Sequence, residues 1–324
     1  MYTKFFIFIF LLNTIVSPLN SKERYSLNIP DKMQIELKNK DYNRYMKMGM
    51  RAYADGSDSK LSNIKKKYKK WIEADIVLDS KKNKSVKAKV RIMGDWKDHL
   101  RLPFTSLKVK ILDDDYYGVR RFNLFLPHTR KGINEVYWTL LLKYIGFPSF
   151  YTKMVDVNLN GLKYEAIFQE DASKEFLERN SFRETVIIKD NDFDFYLNKK
   201  SKKLYGKLFS HSIIIDNGNF LKDLNNKVAT SIASEAIALH SAKDFEDRIL
   251  NWDLYYKINI KYALHGQDKV NRKFIFIPHK KAFIPLYYDG MVQFPIGKTE
   301  CKSKSNSKIF ENFSDDYKKL SKED

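Results

Sequence analysis

Two short runs constrain this chain more than anything else in it. Val86, Ala88, Val90 and Ile92 alternate with Lys87, Lys89 and Arg91, and Leu107, Val109 and Ile111 alternate with Lys108 and Lys110. Side chains on a strand point to opposite faces in turn, so such alternation calls for a sheet with one buried and one wet face. A third strand is expected at Phe122–Leu126. Two more, Met154–Asn160 and Tyr164–Gln169, are joined by Asn160-Gly161, a dipeptide suited to a tight hairpin. Met33–Leu37 alternates weakly and reads as a short isolated strand. Lys273–Ile277 and Ala282–Tyr288 flank the turn composition Pro278-His279-Lys280-Lys281 and predict a second hairpin. Helical spacing marks Glu135–Ile145, with Asn134 as its cap, then Ala172–Arg179 and Lys227–His240, with helical character continuing over Phe245–Lys257. The class is α+β.

The chain has 324 residues, 43% of them hydrophobic, enough for one large domain or two lobes. Lys and Arg number 59 against 40 Asp and Glu, a net charge of +19 that would draw an anionic surface polymer or an acidic protein. An AT-rich gene would produce the same lysine excess. The lysines are spread along the chain and not gathered into an arginine-rich stripe, so no specific nucleic-acid partner is expected. The cluster Lys65–Lys70 reads as a solvated face. Asp113-Asp114-Asp115 invites a metal but also fits a solvated hairpin tip. Cys301 is the only cysteine, which excludes an internal disulfide. Near the start, Lys4 precedes the apolar run Phe5–Leu12, too short to span a bilayer and ordered like an export signal or an uncleaved anchor.

The second hairpin should hold its flanking loops side by side. One loop carries His265, Asp268 and Asn271, and the other carries Asp289 followed by Gly290. Two carboxylates and an amide on strand ends are the oxygen ligands that Mg²⁺ and nucleotide phosphates require. Both aspartates also fit ordinary turn-closing roles.

The order of these pieces resembles a known family. VRIMGD is followed by PFTSLKVKI, then FNLFLPHTRKGINEVYWTLLLKYIGFPS, the hairpin VDVNLNGLKYEAIFQE, and far downstream an Asp/Asn loop and a hairpin ending in YYDG. This is similar to the spore-coat protein H (CotH) family of atypical, secretory-type protein kinases, over roughly Val86 to Phe294. The resemblance implies a two-lobed kinase-like fold, with a mainly antiparallel sheet in the first lobe and a more helical second lobe. It implies transfer of the ATP γ-phosphate to Ser or Thr of a protein at the cell surface or in the periplasm, with Mg²⁺ or Mn²⁺. Asp268 would then be the catalytic carboxylate, Asp289 and Asn271 the metal ligands, and Lys108 the phosphate-neutralising lysine held by Glu170, with Arg91 a second cation.

Three departures accompany the resemblance. Phe104 and Thr105 stand where the family has a basic pair, Met291 where it has a second carboxylate, and Asp95-Trp96 where it has small hydroxyl residues. A rival reading follows, a non-catalytic surface or coat assembly protein. The expected organisation is a signal or anchor over 1–21, an extension over 22–85, the kinase-like domain over 86–297 and a basic Ser-rich tail over 298–324.

Overall fold

The computed structural model describes residues 27–55, 63–79, 84–190, 213–222, 225–269 and 271–294. The apolar run Phe5–Leu12, Cys301 and the tail from 298 lie outside these residues. Seven strands close into a barrel: β1 (Lys32–Glu36), β2 (Ile72–Asp79), β3 (Lys84–Ile92), β6 (Leu107–Ile111), β7 (Arg121–Phe125), β9 (Leu162–Glu170) and β8 (Thr152–Leu159), in that order around the wall. All neighbours run antiparallel except β1 and β8, whose parallel pairing of Lys32–Ile35 with Asp156–Leu159 is the seam. A short ribbon of β4 (Leu100–Arg101) and β5 (Phe104–Thr105) lies between β3 and β6 in sequence.

The two alternating runs do what their period predicts. Val90 pairs with Val109 and Ile92 with Leu107, and these side chains join Ile35, Ile76, Val157 and Phe168 in one apolar interior. Phe122 stacks on Phe168 at 4.7 Å between centroids. A helix, α1 (Asn39–Ala54), adds Tyr45, Met48 and Ala52 to the same cluster, and the Tyr45 hydroxyl meets the Thr105 hydroxyl at 2.7 Å. Asn160 sits at φ +49 and Gly161 at φ +92, so the Asn-Gly hairpin forms as expected between β8 and β9.

A second, four-stranded antiparallel sheet runs in the order β11 (Ile213–Ile215), β10 (Ile187–Asp190), β12 (Lys273–Ile277), β13 (Ala282–Leu286). The β12–β13 pair is the second predicted hairpin, and its turn carries Lys281 at φ +49. Helices α2 (Ile133–Tyr144), α3 (Lys174–Arg179), α4 (Lys227–His240) and α5 (Trp252–Tyr262) surround this sheet and its junction with the barrel. Asn226 caps α4 by accepting the amide of Ala229 at 3.1 Å. Asn226→Ala is therefore expected to cost about 1 kcal/mol, measured as a lowered denaturant midpoint at unchanged slope. By contrast α2 begins after Gly132 with no side-chain cap, so Asn134 lies inside the helix and does not cap it.

The architecture corrects the two-lobed kinase-like expectation. The mainly antiparallel sheet expected in the first lobe is a closed seven-stranded barrel, and a smaller sheet with helices sits beside it. The cause is β1 and β2, which lie in the stretch read as an extension. Ile72–Asp79 carries Ile72, Ala74 and Ile76 to the interior and pairs with β3, while β1 bridges β2 to β8. Together they close an edge that the remaining five strands would leave open.

Candidate functional site

Residues directly opposite one another on neighbouring strands project from the same face. The register aligns Arg91, Lys108, Asn123, Gln169 and Thr152 in one row across β3, β6, β7, β9 and β8. Their neighbours Val90, Val109, Phe122 and Phe168 fill the interior, so this polar row lies on the barrel's outer wall. The second sheet and α2 cover part of it. Gln169 Nε2 donates to Glu135 of α2 at 3.2 Å, and the Tyr287 hydroxyl, just past β13, donates to the same carboxylate at 2.6 Å.

The expected Lys108–Glu170 pair does not form, and the register explains why. Lys108 lies in line with Gln169, whereas Glu170 is opposite Phe122 and projects with the interior residues. Glu170 is buried against the Arg179 guanidinium from α3. The next residue, Asp171, lies past the end of β9, and its Oδ2 is 2.6 Å from Lys108 Nζ and 3.8 Å from Arg121 Nε. Arg91 rests over the Trp71 ring at 5.1 Å; burial lowers its pKa, while the Asp171 and Asp95 charges oppose that. Lys108 and Arg121 thus pair with Asp171, whose charge also reaches Arg91.

Beyond them lies Asp216, following β11. Lys273 Nζ approaches Asp216 Oδ2 to 2.5 Å and stands 3.8 Å from the centroid of the Tyr288 ring. Burial pushes the Asp216 carboxyl up, yet Lys273, Lys189 and Lys108 together bring its pKa down to about 2. Burial lifts the Tyr288 hydroxyl to about 12.

The two loops do come side by side, as the hairpin predicts. Gly266 and Gly290 permit it: a Cβ on Gly266 would lie 3.1 Å from the Tyr288 carbonyl and 3.2 Å from the Gly290 Cα. His265 spans the gap, with Nδ1 3.3 Å from Asp268 and Nε2 3.8 Å from Asp289. Asp268 is exposed, and Asn271 donates its amide to the His265 carbonyl at 2.9 Å. Asp268, Asn271 and Asp289 therefore share one corner. Lys108, Glu170 and Arg91 belong to the barrel wall and are tied to other partners.

The donor set does not fit a divalent cation. Asp289, at φ +51, already turns a carboxylate oxygen to the guanidinium of Arg130, with which it forms a buried ion pair. Arg130 is 3% exposed, lies 4.2 Å from the Phe125 centroid and 5.0 Å from that of Tyr288, and donates to the Tyr288 hydroxyl at 3.1 Å. Burial works against its charge, but Asp289, Tyr288 and Glu135 hold it protonated. A metal would have to displace a cation clamped between two rings. Among the described residues no cluster of three or more His, Cys, Asp or Glu side chains could hold an ion, and Asp113-Asp114-Asp115 is a solvated turn.

Arg130, Glu135, Asp171, Asp216 and Lys273 escape the reading of the sequence. Arg130 lies within the PHTRKG segment, whose turn composition gives an arginine no periodic signature. Lys273 is the one charged residue of the β-rich run Lys273–Ile277 and is 5% exposed. No protein-family model matches the chain, and no curated protein does.

Proposed function

We propose that this chain is a binding protein of an exported surface or coat layer, in which the charged corner around Asp289 is structural. The supporting observation is the Arg130–Asp289 pair. The carboxylate that would hold a metal against nucleotide phosphates is instead neutralised by a buried arginine of the same chain. Met291, where the resembled family has a second carboxylate, points the same way. Export rests on Lys4 and the apolar run after it.

Phosphoryl transfer from ATP to a protein hydroxyl is the second reading. Its support is the placement of His265 between an exposed Asp268 and Asp289. An exposed carboxylate beside an imidazole could accept a hydroxyl proton.

One measurement separates the two. A nucleotide present at a hundred times its dissociation constant stabilises a folded protein by about 2.7 kcal/mol, which is several degrees in Tm. We expect no shift from ATP with Mg²⁺ or with Mn²⁺. A reproducible metal-dependent shift, abolished by Asp289→Asn, would overturn the binding-protein reading in favour of phosphoryl transfer.

A further inference from the structure

Helix α1 packs Tyr45, Met48 and Ala52 onto the barrel and turns another side to solvent. On that side Lys40, Arg44, Lys47 and Arg51 follow one another at spacings of four, three and four residues. They form a single stripe about 16 Å long. Across from it, the segment after α1 contributes Lys67 and Lys70. These six cations line one groove of about 670 Å³ with Asn43, Met48 and Tyr68, and among the described residues no carboxylate lines it.

Like charges at helical neighbour spacing destabilise a helix by about 0.2–0.5 kcal/mol a pair. On α1 the acid at such spacing is Asp41, three residues before Arg44. Among the described residues, no carboxylate forms an ion pair with Lys40, Arg44, Lys47, Arg51 or Lys70. Asp55, at the end of α1, is taken up by Lys65 at 2.7 Å, Lys67 at 3.0 Å and the Tyr68 hydroxyl at 2.7 Å. Asp41, the acid in the first turn of α1, does not line the groove. A solvated lysine face has no reason to be concave or free of acids on both walls.

We propose that this groove binds a linear phosphodiester chain without aromatic bases, of the polyol-phosphate kind. The stripe is long enough to meet several successive phosphates. Base recognition needs a free aromatic platform, and among the described residues the only ring in the groove is Tyr68. Its hydroxyl is held by Asp55 and Lys67 Nζ stands 4.7 Å from its centroid. Contact is therefore made to charge alone. The proposal names a ligand for the binding role above and rests on that reading; the groove residues are distinct from those around Asp289.

The test titrates the full chain with synthetic poly(glycerol phosphate) and with a single-stranded oligonucleotide of equal charge, at several salt concentrations. The variant Lys47→Glu/Arg51→Glu reverses two exposed groove cations. Lys143→Glu/Lys163→Glu makes the same change in net charge at exposed sites elsewhere. We expect the groove variant to bind the polymer at least about tenfold more weakly and its log–log salt slope to fall by about 1.4. The control should stay within about twofold, with both variants retaining the wild-type Tm. Equal losses in the two variants, absence of binding, or tighter groove-dependent binding of the oligonucleotide would each overturn the proposal. Metal-dependent stabilisation by ATP in the same samples would overturn the reading it rests on without touching the polymer titration.

Discussion

Arg130→Ala is expected to destabilise the protein by about 3–5 kcal/mol, because it leaves the mostly buried Asp289 carboxylate without its counter-charge and removes the cation packed on Phe125 and Tyr288. Asp289→Asn should cost a comparable amount, since it leaves the still more deeply buried Arg130 guanidinium without its principal counter-charge. The two changes are in contact, so they should not add. A double-mutant cycle by chemical denaturation should return a coupling of about 1–3 kcal/mol. Arg130→Lys should not rescue the loss, because an ammonium cannot reproduce a planar cation packed on Phe125 and Tyr288. A cost below about 1 kcal/mol for Arg130→Ala, or an additive cycle, would show that the pair does not hold the corner together. Asp289 would then have no structural role.

The second large effect is a dependence on pH. Glu135 is fully buried, and burial raises its pKa from the usual 4.5 to about 7, against the opposing pull of Arg130 and its hydrogen bonds from Tyr287 and Gln169. A carboxyl with a folded pKa above its unfolded one binds its proton more tightly when folded. Its contribution to stability is complete below pH 4.5 and is lost as pH rises to about 7. At 1.36 kcal/mol per unit the loss is on the order of 3 kcal/mol. Glu135→Gln keeps the shape and cannot ionise. The wild-type protein should therefore lose stability relative to this variant between pH 4.5 and 7, with parallel curves above. A difference that is flat across that window would mean that Glu135 stays ionised in the fold.

What the sequence made legible and what it hid divide along a physical line. Alternation identified β3 and β6, and turn chemistry identified both hairpins, because each depends on residues close in the chain. Barrel closure depends on β1 meeting β8, a pairing between distant segments that no local period announces. The same holds at the candidate site. The approach of the 265–268 and 288–290 loops followed from one hairpin, so Asp268, Asn271 and Asp289 were placed together. Lys108 needed a partner from β9, and there a single residue decides the face. Glu170 was read as that partner, while the chain uses Asp171. Arg130 and Asp289 lie far apart in sequence and meet only in the folded protein, which is why the cation that changes the functional reading carried no signal.

The parallel seam has a consequence for how the chain is made. β1 is synthesised early, yet one edge waits for β2 and the other for β8, beginning at Thr152. Until then a strand bearing Met33 and Ile35 has nowhere to bury them, and its unpaired edges can template wrong partners. Closing so distant a pair is slow compared with hairpin formation. If the chain crosses a membrane as it is made, the delay is useful: a segment that cannot close early stays threadable. A rearranged chain in which β1, followed by a crossover linker, directly precedes β8 would shorten that closure and should fold faster than the natural order.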